Sequence, residues 1–172
     1  ALDRLQGRDL GGARYPEQEA DPLIVHPDIR RMLLRAKSLI EGMRCLAVWT
    51  GISIDRSLAD PDEAIREENG ELVEILTPIV KALCTDLGCE ITNDMLQIYG
   101  GHGYIREHGM EQLVRDARIA QLYEGTNGIQ ALDLVGRKLG MKTGRLLRHF
   151  FHPATAFVEE HQDDEALKEL VL

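Results

Sequence analysis

Apolar residues recur every three or four positions through most of this chain, and no window alternates with period two over a convincing length. From Ile29 to about Leu58, positions such as Ile29, Met32, Leu33, Ala36, Leu39, Ile40 and Met43 fall on one stripe of a helix. Asp28 stands just inside its start, where a negative charge suits the amino-terminal dipole. Asp60-Pro61-Asp62-Glu63 ends it, because Pro61 cannot continue the hydrogen-bond ladder and biases Asp60 away from the helical region. A second stretch begins near Asn69-Gly70 and runs to Ile98 through Leu72, Ile75, Leu76, Ile79, Leu83, Leu87 and Ile91. Pro78 falls inside that pattern, which predicts a kink there or a slightly later start. Gly100-Gly101-His102-Gly103 stops the helix, since glycines at a helix end favour a bend with open backbone amides. A shorter helix is predicted from about Met110 to Leu122; Gly125-Thr126-Asn127-Gly128 interrupts it, and Ile129 to Leu139 restarts. Gly140 and Gly144 loosen the chain before an elbow at His149 to Pro153, and an acidic amphipathic segment follows from roughly Ala154 to Leu172.

Two long helices, one short and one medium, predict an all-α fold, an antiparallel four-helix bundle. Residues 1–20 are polar and glycine-containing and are expected to lead in from a helix upstream. Residues 21–148 make the expected bundle, and residues 149–172 an acidic helical extension. The first residue is Ala rather than Met, which predicts a piece of a longer protein.

Twenty-nine acidic residues against twenty basic ones give a net charge of −9, which argues against a nucleic-acid partner. No apolar run reaches the roughly 18–20 residues of a membrane helix, so no membrane partner is expected. Three sparsely placed cysteines, Cys45, Cys84 and Cys89, do not make a disulfide framework, and a cytoplasmic location is expected. The six histidines are scattered, with neither an HExxH nor a CxxC spacing, so no metal site is expected.

Two runs carry candidate chemistry. In Gln97-Ile98-Tyr99-Gly100-Gly101-His102-Gly103-Tyr104, bare glycines at a helix end let another backbone or a phosphate approach closely. A simple helix cap and turn explains the same spacing. In Tyr123-Glu124-Gly125-Thr126-Asn127-Gly128-Ile129-Gln130, a glutamate ends one helix ahead of two small polar residues flanked by glycines. Such a junction can hold a carboxylate over a cavity, where partial desolvation suits a carboxylate to general-base work. A surface glutamate before a turn is the plainer alternative.

These two runs, with Arg115-Asp116-Ala117-Arg118-Ile119 between them, resemble the acyl-CoA dehydrogenase family in order and spacing. The opening Arg4-Leu5-Gln6 is similar to the lead into the same domain, and the likeness extends from Ala1 to about Leu139. The opening and the Asp21-to-Arg31 region look most like a bacterial branch acting on 3-methylmercaptopropionyl-CoA and related thioesters.

The resemblance implies a flavoprotein of an amino-terminal helical domain, a middle β domain and a carboxy-terminal helical bundle, of which this chain matches only the last. In that family a glutamate removes the α-proton of an acyl-CoA thioester while the β-hydride passes to FAD, giving the trans-2-enoyl-CoA. Glu124 matches that base and Gly125 a neighbour of the bound thioester. Thr126, Asn127 and Gly128 match positions beside the flavin, Arg4 matches an arginine that reaches the FAD pyrophosphate, and Gln97 through Gly101, with Gly100, match a loop at a neighbouring subunit's FAD. Gly7-Arg8 replaces the family's usual Phe-Gly, so Arg8 stands as an alternative to Arg4. The implied partners are the acyl-CoA substrate, an acceptor such as electron-transfer flavoprotein, and further copies of the chain. Alone, lacking the β domain, the chain is expected to be inactive and essentially flavin-free. The alternative from another class is a non-catalytic helical interaction or oligomerisation module.

Overall fold

A computed structural model describes residues 1–167. Among them are five α-helices: α1 (Pro27–Ala59), α2 (Glu63–Tyr99), α3 (Met110–Ala120), α4 (Asn127–Asp133) and α5 (Arg145–His161). The described residues contain no strand, only an antiparallel bridge between Leu5 and Pro22. The fold is all-α, as the periodicity predicts.

Several boundaries differ from those the sequence suggests. Helix α2 starts six residues ahead of Asn69-Gly70, because the Asp62 carboxylate accepts from the Ala64 N–H at 2.9 Å and Arg66 donates to the Asp60 carbonyl at 2.6 Å. Those bonds satisfy a helix start that the hydrophobic stripe does not mark. Pro78 is fully buried within α2, which continues through it. Residues Ala1–Leu5 are not the end of a helix: the Leu23 N–H donates to the Arg4 carbonyl and the Gln6 N–H to the Asp21 carbonyl, both at 2.9 Å. No elbow forms at His149–Pro153, since α5 runs unbroken through Pro153 to His161. Its first half is held by the burial of Leu146 and the packing of Leu147 and Phe150, which outweighs the punctuation of one proline. Residues 168–172 of the expected acidic extension lie outside the described residues.

The described residues form two compact units, Ala1–Cys45 with Leu83–Glu124, and Leu46–Ala82 with the residues from Gly125 onward. In the first, the buried apolar residues are Leu23, Met32, Ala36, Ile91, Ile98 and Met110. Met32 and Ala36 are one helical turn apart on α1, and Ile91 and Ile98 two turns apart on α2. The loop before Pro22 is organised by the buried carboxylate of Asp21, which accepts from the N–H groups of Asp9 and Tyr15 at 2.9 Å and of Arg14 at 3.1 Å. Burial alone raises the pKa of such a group, but these donors and the nearby Arg8 outweigh it and hold Asp21 at about 2.

In the second unit Leu72, Ile75, Leu76 and Leu146 form a buried core, each side chain contributing roughly 1.5–3 kcal/mol. Trp49, Phe150 and Ile79 pack against it, the Trp49 and Phe150 rings 5.9 Å apart. Beside that core the buried Glu71 meets Arg145, Lys142 and His149. The Arg145 guanidinium, donating through Nε at 2.8 Å, is the main reason its carboxyl lies at about 2 despite burial.

Candidate active site

Helix α3 ends at Ala120, and the Leu122 N–H then bonds the Ile119 carbonyl at 2.9 Å to close its last turn. Glu124 comes next but one with φ +53, in the left-handed region that a side chain with a Cβ rarely adopts. That conformation costs roughly 1–2 kcal/mol. Its side chain and that of Tyr123 are exposed.

Gly125 opens the second unit with φ +82. A Cβ there would lie 2.8 Å from Gln130 Nε2, so both the backbone angle and the overlying amide call for glycine. Thr126 caps α4, its hydroxyl oxygen accepting from the Ile129 N–H at 3.3 Å. Asn127 is turned inward: Lys81 Nζ donates to its Oδ1 at 2.6 Å, and its Nδ2 donates to the Ala82 carbonyl at 3.3 Å. Gly128 is exposed, and an added Cβ would meet only Thr126 Oγ1 at an ordinary 3.8 Å.

The other expected residues cluster in the first unit. Arg4 Nη1 donates to the Tyr99 carbonyl at 2.8 Å and lies 2.9 Å from His102 Nδ1, tying the end of α2 to the glycine turn. A cavity of about 440 Å³ is lined here by Arg4, Leu23, Ile98, Tyr99, His102 and His108. Gly103 is buried, and a Cβ on it would clash at 2.8 Å with the Leu96 carbonyl; Gly101 by contrast faces open space. Gln97 is exposed on the last turn of α2. Arg8 is spent elsewhere, on the carbonyls of Tyr15 and Gln18 and on Asp21 at 3.5 Å. Of the two arginines considered for a phosphate, Arg4 lines this cavity while Arg8 is engaged within its own loop.

Sequence reasoning missed Lys81, Asp21, His102 and His108 as organising residues. The two histidine rings lie 5.5 Å apart at the cavity, a proximity that their six-residue separation does not signal. Among the described residues no group of three His, Cys, Asp or Glu side chains is placed to hold a metal ion, and no helix is long and apolar enough to cross a membrane.

Residues 10–139 match the acyl-CoA dehydrogenase C-terminal domain. The chain belongs to the acyl-CoA dehydrogenase family. It is 47% identical over 150 residues to a 3-methylmercaptopropionyl-CoA dehydrogenase of Ruegeria pomeroyi, a match covering 87% of this chain and 25% of that protein. It is 32% identical to a butyryl-CoA dehydrogenase of Syntrophomonas wolfei (91% of this chain, 26% of the relative). With a broad-specificity linear acyl-CoA dehydrogenase of Mycobacterium tuberculosis the identity is 31%, over 98% of this chain and 28% of the relative. The chain thus spans about a quarter of the length of the curated relatives it matches. The likeness to the Ruegeria protein agrees with the bacterial branch that the opening residues suggest.

Proposed function

We propose that this chain is the carboxy-terminal helical domain of a FAD-dependent acyl-CoA dehydrogenase, and that Glu124 is its catalytic base. The observation that carries the reading is Glu124 itself: an exposed carboxylate on a left-handed backbone, next to a glycine that cannot be replaced without strain, in a chain of this family. Backbone held in a sparsely populated region persists where a site needs it.

Each unit holds residues that suit contacts to the cofactor. Among the described residues both bonds of Arg4 start from Nη1, so Nε and Nη2 remain for an anionic oxygen at the cavity. Gly101 leaves the backbone bare, and the Thr126 hydroxyl, accepting from Ile129, keeps its own hydrogen to donate. Asn127 contributes through its backbone, because its carboxamide is engaged within the chain. FAD, when bound, supplies the hydride acceptor. Glu124 Oε takes the α-proton of the thioester, and Gly125 supplies the left-handed turn that follows it. Proton removal from so weak a carbon acid requires an aligned base in a dry site. The chain spans about a quarter of its relatives' length, and on this reading it is inactive by itself.

The substrate class is an acyl-CoA, and the similarity to the Ruegeria enzyme favours a short thioether-bearing or related acyl chain. The same reading gives the full-length protein an acceptor such as electron-transfer flavoprotein, further copies of itself as partners, and a cytoplasmic site. Unpaired Cys45, Cys84 and Cys89 support a reducing compartment, and exposed Leu113 and Ile119 on α3 support self-association. In the full-length protein Glu124→Gln is expected to retain FAD and acyl-CoA while flavin reduction falls by at least ~10²-fold, the lower end for a general base. Turnover within tenfold of the parent would overturn the assignment.

A further inference from the structure

Lys81 belongs to none of the motifs, yet its ammonium donates to Asn127 Oδ1 at 2.6 Å. Lys81 sits half-buried on α2 and Asn127 is the first residue of α4. An ammonium can only donate, so the carboxamide must turn its oxygen toward it. That places Nδ2 against the Ala82 carbonyl, to which it donates at 3.3 Å. One lysine therefore fixes the rotation of the amide, and the amide holds the start of α4 to two consecutive residues of α2. The adjoining Thr126 cap and left-handed Gly125, with the Gln130 amide over it, are held from that point.

We propose that Lys81 is a positioning residue for the Gly125–Gly128 turn and, through the chain, for the departure point of Glu124. The proposal rests on the reading of Glu124 as the base. Its force comes from alignment: proton abstraction tolerates little displacement, and a shift of ~1 Å costs up to ~10²-fold in rate.

The test uses the full-length, FAD-loaded enzyme with Lys81→Met, Lys81→Arg, Asn127→Ala and the double variant Lys81→Met/Asn127→Ala. Lys81→Met is expected to slow acyl-CoA-driven flavin reduction by about tenfold or more, while FAD content and the acyl-CoA Kd from the flavin spectral shift stay within about twofold. Lys81→Arg, still a donor, recovers most of the rate. Backbone amides of Gly125–Ile129 exchange about tenfold faster in Lys81→Met, and the double variant costs less than the two single variants combined because both remove the same bond. An unchanged reduction rate, a loss of rate that only follows loss of FAD, or additive single effects would each overturn the proposal. If Glu124→Gln stays active, the reading of Glu124 falls; if Glu124→Gln is dead and Lys81→Met reduces flavin at the parent's rate, only the role of Lys81 falls.

Discussion

Among the described residues two stretches hold side-chain-bearing residues in the left-handed region, Glu124 before Gly125 and Lys142-Thr143 before Gly144, and they are supported in opposite ways. At the later corner the strain is carried by the fold: Lys142 and Arg145 meet Glu67 and the buried Glu71, and Leu146 begins the core on the next residue. At Glu124 the strained residue is exposed, and the turn that follows it includes a left-handed glycine, a neutral cap and a lysine–amide bond. The first arrangement is buttressing, in which buried charge over-determines the backbone. The second holds an exposed side chain on a left-handed backbone at a helix junction, where no buried charge cluster among the described residues braces the strain.

The largest stability effect belongs to the buttressed corner. Glu71→Gln should destabilise by about 2 kcal/mol, below the roughly 3–5 kcal/mol of a wholly buried pair because Arg145 and Lys142 are partly exposed. The same contact sets an acid limit. Glu71 lies at about 2 when folded against an ordinary 4.5, so its stabilisation is complete above about pH 5 and is lost as pH falls toward 2. Denaturant midpoints at pH 7 and pH 3 should therefore converge for parent and Glu71→Gln; a constant gap would show that the ion cluster adds nothing.

Glycine replacements come next. Gly125→Ala should cost about 1–2 kcal/mol, from φ +82 and a Cβ 2.8 Å from the Gln130 amide, whose flexible end can shift. Gly144→Ala should cost about 1 kcal/mol, since its Cβ would meet Leu139 and Arg148 at ordinary distances and only φ +77 is strained. In the full-length enzyme only the first should also lower flavin reduction; equal kinetic effects would erase the contrast between the corners.

The smallest effect is the most diagnostic. Glu124→Gly should change stability by less than about 1 kcal/mol, because relief of the left-handed strain opposes the added chain entropy and the loss of the side chain's own contacts. Lys142→Gly relieves the same kind of strain but should destabilise, since it removes the contact with Glu71. Urea midpoints that fall by the same amount for both would break the comparison.

The helices were legible because their apolar stripes are local: Met32 and Ala36, or Leu72, Ile75 and Leu76, are neighbours on a helix whatever it packs against. The Glu124-Gly125 corner was legible as a motif for a similar reason, since glycines at a helix junction restrict the chain within a few residues. The start of α2 and the unbroken α5 were not, because the Asp62 and Arg66 bonds and the burial of Leu146 override local punctuation. Nor could the sequence distinguish Arg4 from Arg8: both are arginines in one glycine-rich segment, and only folding commits Arg8 to the Asp21 loop and leaves Arg4 at a cavity. The inward turn of Asn127 was equally hidden, because its partner Lys81 stands 46 residues away. Periodicity and backbone chemistry reach a few residues along a chain and determined the helices and the corner. Which charge meets which, and which polar group is tied into a loop, depend on residues far apart in sequence, and only the tertiary structure decided them.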